Sequence, residues 1–374
     1  MSPSEPDPLA SLPPASPPAA TEPARPPAPL GRWALIAIAV GGLAAAFGYV
    51  AGPLDPHRLT PKRVVDQLQN NGGLHPGYRR NHAKGVCVIG RFDSNGQAAA
   101  YSSAGLFAAG VSTQAVGRFA LPGGNPYAPD GGVPIRSFAL RLTQADGQQW
   151  RTGMNSMPVF PVATPQAFFE QLQAGAPDPA TGKPDPDKQK AFFAAHPETA
   201  AFRAWAKDRK PSASYATEDY YGLNAFYFID AGSGRHAVRW RVVADNGAAA
   251  AALTAQDQDV LAQELDQRLI KGPLRWRLLV TLAAPGDPTH DATRVWPADR
   301  TEVDAGSVVI ERAQSQDSGE CRDINYDPLI LPGGIAASDD PLLPARSAAY
   351  ADSYRRRTAE EAQAGGRPPQ ETHR

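Results

Sequence analysis

From about Gly85 to Val162 the chain runs in short apolar or alternating stretches, VCVIGRF, QAVGRFAL, IRSFALRLT and MPVFPV, separated by Gly, Pro and Asn. Period-two alternation places successive side chains on opposite faces, as in a strand with one buried face, and the separating residues are turn formers. A second group obeys the same rule. NAFYFIDAGSGRHAVRWRVV reads as a hairpin turning at AGSG, and GPLRWRLLVTLAAPG as a further strand. Between the two groups, residues 165–210 read as helices, TPQAFFEQL and then DKQKAFFAAHPETAAFRAWAKD, joined by a Pro/Asp/Gly loop. QDQDVLAQELDQRLI, ahead of the last strand, carries apolar residues at helical spacing. This order predicts an α+β domain: a closed antiparallel β-barrel with flanking helices.

The start of the chain has a different character. Residues 1–32 are rich in Pro, Ala, Ser and Glu with almost no aliphatic side chains, so they cannot bury enough apolar surface to offset chain entropy and are expected to be disordered. Trp33 to Gly52, WALIAIAVGGLAAAFGYVAG, carries no charge and has the length of one membrane crossing. It predicts a single transmembrane helix ahead of the barrel, retained rather than cleaved as a signal peptide. Arg25 and Arg32 precede it while Arg58, Lys62 and Arg63 follow, so basic residues do not decide its orientation. LTPKRVVDQLQNNGG then reads as a short helix with Thr60 as N-cap, Pro61 in the first turn and paired glycines stopping it. The main domain is expected over 53–360, with 361–374 a flexible tail.

A formal net charge of −1 excludes a nucleic-acid binder, which needs a clustered basic excess to neutralise phosphates. With two cysteines, Cys87 and Cys321, a CxxC metal site or a disulfide scaffold is excluded. They read as two separate buried thiols, with one disulfide the alternative in an exported chain.

Four stretches carry candidate chemistry. The first is Arg79-Arg80-Asn81-His82-Ala83-Lys84-Gly85, at the entrance to the first strand. In the second, Gly153 to Phe160, Asn155 and Ser156 interrupt an apolar run; a buried amide must be satisfied, and a ligand is one way to do it. The third, Asp287 to Pro297, reads as a loop and short strand. The fourth, DPLLPARSAAYADSYRRR, begins as a Pro-broken loop and becomes an Ala-rich helix. On that helix Arg346 and Tyr350 are four residues apart and share a face. A guanidinium beside a phenol favours the anionic oxygen that a metal ligand requires. Arg357 follows on a nearby face, where it can meet an acidic group.

In this order the four stretches resemble the catalase superfamily. RNHAKG and DPTHDATRVWP match its runs closely, GMNSMPVF stands where the family has a run with a distal asparagine, and R-x-x-x-Y stands at Arg346 and Tyr350. YYGLNAF and SDDPLLPARSAAY are closer still to the small catalase-related haem peroxidases, and the resemblance spans roughly residues 55–358.

The resemblance implies haem b (heme b) as cofactor, with Tyr350 as proximal iron ligand in tyrosinate form and Arg346 holding it. It makes His82 the distal acid–base and Asn155 the distal hydrogen-bond donor, and it places Arg79, Arg118 and Arg357 at the haem carboxylates or the proximal side. In large catalases a serine two residues after the Arg118 equivalent supports the distal histidine, whereas this chain has Ala120. The chain also lacks the wrapping and C-terminal regions of large catalases, which suggests a more open pocket. The expected activity is peroxidase: hydrogen peroxide or organic peroxides reduced by a small organic donor, with weak catalase activity, in oxidative-stress defence. The alternatives are a lipid-hydroperoxide isomerase or dehydratase of the same fold, or a membrane-anchored haem-binding barrel without activity. The expected location is the periplasmic side of a bacterial inner membrane, with the oligomeric state open.

Overall fold

The structure, a computed structural model, describes residues 30–50, 58–247, 252–363 and 365. The chain divides into two units, Met1–Arg58 and Leu59–Arg374. In the first, α1 (Leu30–Val50) is a helix with Arg32 as its one charge, and its apolar side chains, Trp33, Leu35, Ile38, Leu43 and Phe47 among them, are exposed. Among the described residues no helix is long and apolar enough to cross a membrane. The single transmembrane helix expected over 33–52 is therefore not borne out among the described residues: α1 covers most of that stretch without meeting the requirement, while residues 51–57 and most of the expected disordered tail lie outside the described residues.

The second unit opens with α2 (Pro61–Gly72). Thr60 caps it, its hydroxyl accepting from the Arg63 amide at 3.3 Å, and Pro61 fills the first turn, where no amide donor is needed. Strands β1 (Gly85–Ser94), β2 (Ser112–Ala120), β3 (Ser137–Thr143) and β4 (Gln149–Asn155) form an antiparallel meander. Helices α3 (Pro165–Ala174), α4 (Pro186–Ala195) and α5 (Ala200–Ala206) follow. Then come β5 (Tyr220–Tyr221), β6 (Phe226–Ile229), β7 (Arg235–Ala244), α6 (Val260–Lys271), β8 (Leu274–Leu282), β9 (Glu302–Ser315), β10 (Ile335–Ala337) and α7 (Leu342–Gln363).

The pairing order β7-β5-β4-β3-β2-β1-β9-β8 returns to β7 through the β7–β8 ladder, so eight strands close into a barrel, with β6 and β10 extending from β7. Closure leaves the eight strands no open edge. Inward and outward residues alternate as the pleat requires: on β8, Leu274 and Trp276 are buried while Arg275 and Arg277 are exposed. Aromatic side chains fill the interior. Phe119 stacks on Phe138 at 4.3 Å and on Tyr215 at 5.0 Å, with Trp276 at 5.7 Å. At Gly90 the β1–β9 register shifts, and a Cβ there would stand 1.9 Å from the Val309 carbonyl oxygen, so only glycine lets the strands close.

Four expectations are corrected. MPVFPV is not a strand: Pro158 and Pro161 cannot donate to a ladder, and β4 ends before them at Asn155. The long helix expected over 187–208 breaks at His196-Pro197, where the proline interrupts the hydrogen-bond run and separates α4 from α5. Asp287–Pro297 contains no strand. It closes on itself instead, Trp296 Nε1 donating to the Pro288 carbonyl at 2.9 Å, and the Arg239 guanidinium lies 4.6 Å from the Trp296 ring centre. Cys87 and Cys321, read as separate thiols, form a disulfide with Cα atoms 5.3 Å apart. A separation of 234 residues concealed it, because β1 and the loop after β9 meet only in the closed barrel.

Candidate active site

One cavity of about 220 Å³ receives all seven residues singled out in the sequence: Arg79, His82, Arg118, Asn155, Arg346, Tyr350 and Arg357. Its polar residues come from several parts of the fold. The segment before β1 brings Arg79 to His82, the ends of β2, β3 and β4 bring Arg118, Ser137 and Asn155, and α7 forms a long side. Arg346, Ala349, Tyr350, Ser353, Tyr354 and Arg357 recur at three- and four-residue intervals, so one stripe of α7 faces the cavity. α7 starts at Leu342 rather than in a Pro-broken loop; Pro344 lies in the first turn, where a missing amide proton costs nothing. Its start is tied by Asp340, whose Oδ1 accepts from the Leu342 amide at 2.9 Å.

His82 has φ 56°, a left-handed backbone that is uncommon outside glycine. Two side chains hold it there. Asn81 Oδ1 accepts from the amides of His82 at 3.0 Å and Gly123 at 2.8 Å. Arg118 donates to the carbonyls of His82 at 2.8 Å and Ala83 at 3.0 Å. The ring is fixed by Ser137, whose Oγ lies 3.2 Å from Nδ1 and donates to Asn155 Oδ1 at 2.6 Å. Burial depresses the imidazole to about 3, aided by the positive charges of Arg118, Arg346 and Arg79 and opposed by the Leu121 backbone carbonyl. At neutral pH this ring is an uncharged base. The serine absent at Ala120 is replaced from the neighbouring strand by Ser137, which stands opposite Ala120 in the β2–β3 register, a pairing that no local sequence pattern reveals.

Around the phenol, Arg346 Nη2 donates to the Tyr350 hydroxyl at 3.3 Å. The other guanidinium nitrogen contacts Asn224 Oδ1, and Asn224 Nδ2 donates to the buried Asp340 carboxylate at 2.7 Å. Burial raises Asp340 against the pull of this hydrogen bond. Asn224 and Asp340 lie inside YYGLNAF and SDDPLL, so the signal was present without a role attached. Gly153 leaves room beside the phenol: a Cβ there would come 3.3 Å from Arg346 Nη2 and 3.9 Å from the Tyr350 oxygen.

A third cluster gathers charge. Arg79 donates to the carbonyls of Cys321 at 3.0 Å, Arg322 at 3.2 Å and Ile324 at 3.0 Å. Arg357 also contacts the Arg322 carbonyl. Burial, then the neighbouring Arg118 and Arg357, pull Arg79 well below an ordinary arginine, and burial brings Arg118 down to about 10. The Arg118 Nε proton is buried without a partner. Three guanidiniums crowded together, one with an orphaned donor, call for an anion. A flat apolar molecule bearing carboxylates at one edge and an oxygen-accepting metal at its centre suits this donor set, so the residues fit a haem. Val64, Val65, Leu68, Phe160 and Phe168 supply apolar wall. The Asp287–Pro297 loop does not line the cavity; it buttresses Phe160, whose amide donates to the Ala292 carbonyl at 3.0 Å.

A catalase family model matches residues 53–364 of the chain. A catalase-related peroxidase of Synechococcus elongatus is 39% identical over 330 residues, 87% of this chain and 96% of that protein. One of Mycolicibacterium paratuberculosis is 31% identical over 304 residues, 80% of this chain and 95% of that protein. Among solved structures, a bacterial catalase superposes with a TM-score of 0.69 at 23% identity, over 86% of this chain and 66% of that one. A fungal catalase gives the same score at 20% identity, over 77% and 61%. The chain thus spans about six tenths of the length of the solved catalases it matches.

Proposed function

The chain belongs to the catalase family and is an oxidoreductase acting on peroxide, and from that premise we propose that it reduces hydrogen peroxide or organic peroxides with a small organic donor, through a haem b whose iron Tyr350 ligates. The observation that carries this reading is the gathering of His82, Asn155, Tyr350 and Arg346 around one cavity with a cationic corner.

When bound, haem iron supplies the cleavage of the peroxide O–O bond and the acceptance of electrons from the donor. The side chains have separable tasks. His82, neutral at working pH, takes the proton from one peroxide oxygen and returns it to the other, acting as base and then acid. Asn155, its carbonyl engaged by Ser137, turns its amide protons to the peroxide and orients it. Arg346 donates to the Tyr350 oxygen and favours its anionic form. Arg79, Arg118 and Arg357 receive the haem carboxylates. The apolar wall from α2 and Phe160 excludes water and suits an aromatic or other apolar donor.

A role in oxidative-stress defence on the periplasmic side of a bacterial inner membrane completes this reading. It is supported by the Cys87–Cys321 disulfide, a bond that persists in oxidising compartments. A compartment-sensitive reporter at the C-terminus tests the location.

The activity test is purification followed by the visible spectrum and assays with peroxide and a donor dye. Haem absorption with dye oxidation is expected. A haem protein inert to hydrogen peroxide but turning over fatty-acid hydroperoxide would replace this reading with an isomerase or dehydratase. His82→Ala should slow the peroxide reaction by about 10²–10⁴-fold, and an unchanged stopped-flow rate would reject His82 as the acid–base.

A further inference from the structure

We propose that Ser137 is the positioning residue of the distal pair, its one hydroxyl setting both the tautomer of His82 and the orientation of Asn155. The inference rests on His82 being the proton-moving base.

Donors and acceptors decide the arrangement. A serine hydroxyl has one proton and two lone pairs. At 2.6 Å from Asn155 Oδ1 that proton is committed to the amide carbonyl, so towards His82 Nδ1, 3.2 Å away, Ser137 Oγ can only accept. The ring proton then sits on Nδ1, and Nε2 carries the lone pair needed to take a proton from peroxide. Because its carbonyl is engaged, Asn155 presents its NH₂ group to the cavity. The opposite arrangement exists in principle: the amide turned over, Asn155 donating to Ser137 and Ser137 donating to Nδ1. It would put the ring proton on Nε2 and a carbonyl in the cavity, removing base and hydrogen-bond donor together. His82 and Asn155 are therefore not independent. One hydroxyl couples them, and one polarity of the wire is competent.

The fold places this hydroxyl with little freedom. Ser137 is the first residue of β3 and pairs directly with Ala120 on β2 and with Asn155 on β4. It is 7% exposed, so water competes poorly for its bonds. The strand ends are pinned beside it, Arg136 N donating to Ser156 Oγ at 3.0 Å and Ser156 N to the Arg136 carbonyl at 2.8 Å. The support that Ala120 cannot give thus arrives from the adjacent strand at the same height in the register.

The test uses the haem-loaded protein with Ser137→Ala, Ser137→Thr and the double variant Ser137→Ala/Ala120→Ser, after equal haem content is established. Two readouts are taken: the stopped-flow rate with peroxide, and equilibrium binding of cyanide, which enters as the acid and leaves its proton on the distal base without turnover. Ser137→Ala is expected to weaken each about tenfold, the scale of one lost hydrogen bond. Restoration by either hydroxyl-bearing variant shows that the hydroxyl, not the volume, matters. No loss in Ser137→Ala, or a loss that neither variant repairs, overturns the inference. His82→Ala runs in parallel. If it changes neither readout, the reading of His82 fails; if it changes both while Ser137→Ala changes neither, only the role of Ser137 fails.

Discussion

Arg346 reaches the Tyr350 hydroxyl at 3.3 Å from one helical turn earlier, and its guanidinium carbon lies 5.8 Å from the centre of the same ring. The helix repeat alone makes these side chains neighbours, so the pair is built into α7 whatever the rest of the cavity does. If this oxygen is the iron ligand, Tyr350→Phe removes the only donor atom of that side chain. The expected outcome is loss of tyrosinate-type haem absorption in the purified protein, and retention of that spectrum would move the ligand elsewhere.

Behind the pair, Asp340, Asn224 and Arg346 form a chain in which each polar group depends on the next. Asn224→Leu would strand Oδ2 of the buried Asp340 carboxylate, whose Oδ1 keeps the Leu342 amide, and one nitrogen of the Arg346 guanidinium. Leaving a buried group without its partner costs about 1–3 kcal/mol, and more when it is charged. A lowered urea midpoint with an unchanged slope is expected, and an unaltered midpoint would mean that the chain carries no stability.

The depressed His82 makes a pH prediction with a definite sign. A free histidine protonates near 6.5, whereas in the fold His82 does so at about 3. Between these values the unfolded chain binds more protons than the folded one, so stability contributed by the neutral ring is complete above pH 6.5 and is lost as pH falls towards 3. The same shift removes any acid limb near pH 6.5 from the peroxide reaction. The rate should stay level down to about pH 5 and fall only further into acid. A limb centred near 6.5 would show that the ring is not shielded in the working protein.

What could be read in the sequence was whatever short spacing controls. Period-two alternation marked β1, β2, β3, the β6–β7 hairpin and β8, and the four-residue step placed Arg346 and Tyr350 on one face. The 14-residue β9 escaped notice, because EVDAGSVVIERAQS mixes a glycine, acidic residues and an apolar run without clean alternation. It becomes a strand through its two neighbours, β1 and β8. The parts of the site that escaped are likewise those made by distant pairing. Ser137 acts through register with Ala120 and Asn155, and Asn81 acts through a turn at Gly123. Tertiary contact decides such roles, and no local pattern encodes it.

The disulfide supplies the last prediction, since it holds the chain that holds the arginines. Cys321 lies in a loop whose carbonyls at Cys321, Arg322 and Ile324 receive Arg79, while the Arg322 carbonyl also receives Arg357. Cys87, on β1, anchors this loop to the barrel, and a Cβ at Gly319 would stand 2.9 Å from the Cys87 sulfur, so the loop lies flush against the bond. Replacing both cysteines by serine releases a crosslink over a long stretch of chain, at a cost of about 2–5 kcal/mol. It also loosens the carbonyls that aim two guanidiniums into the cavity. The double variant should therefore melt at lower temperature and lose haem to an acceptor globin faster than the parent. A lower melting temperature with unchanged haem loss would separate the two effects and show that the bond steadies the barrel without steadying the arginine corner.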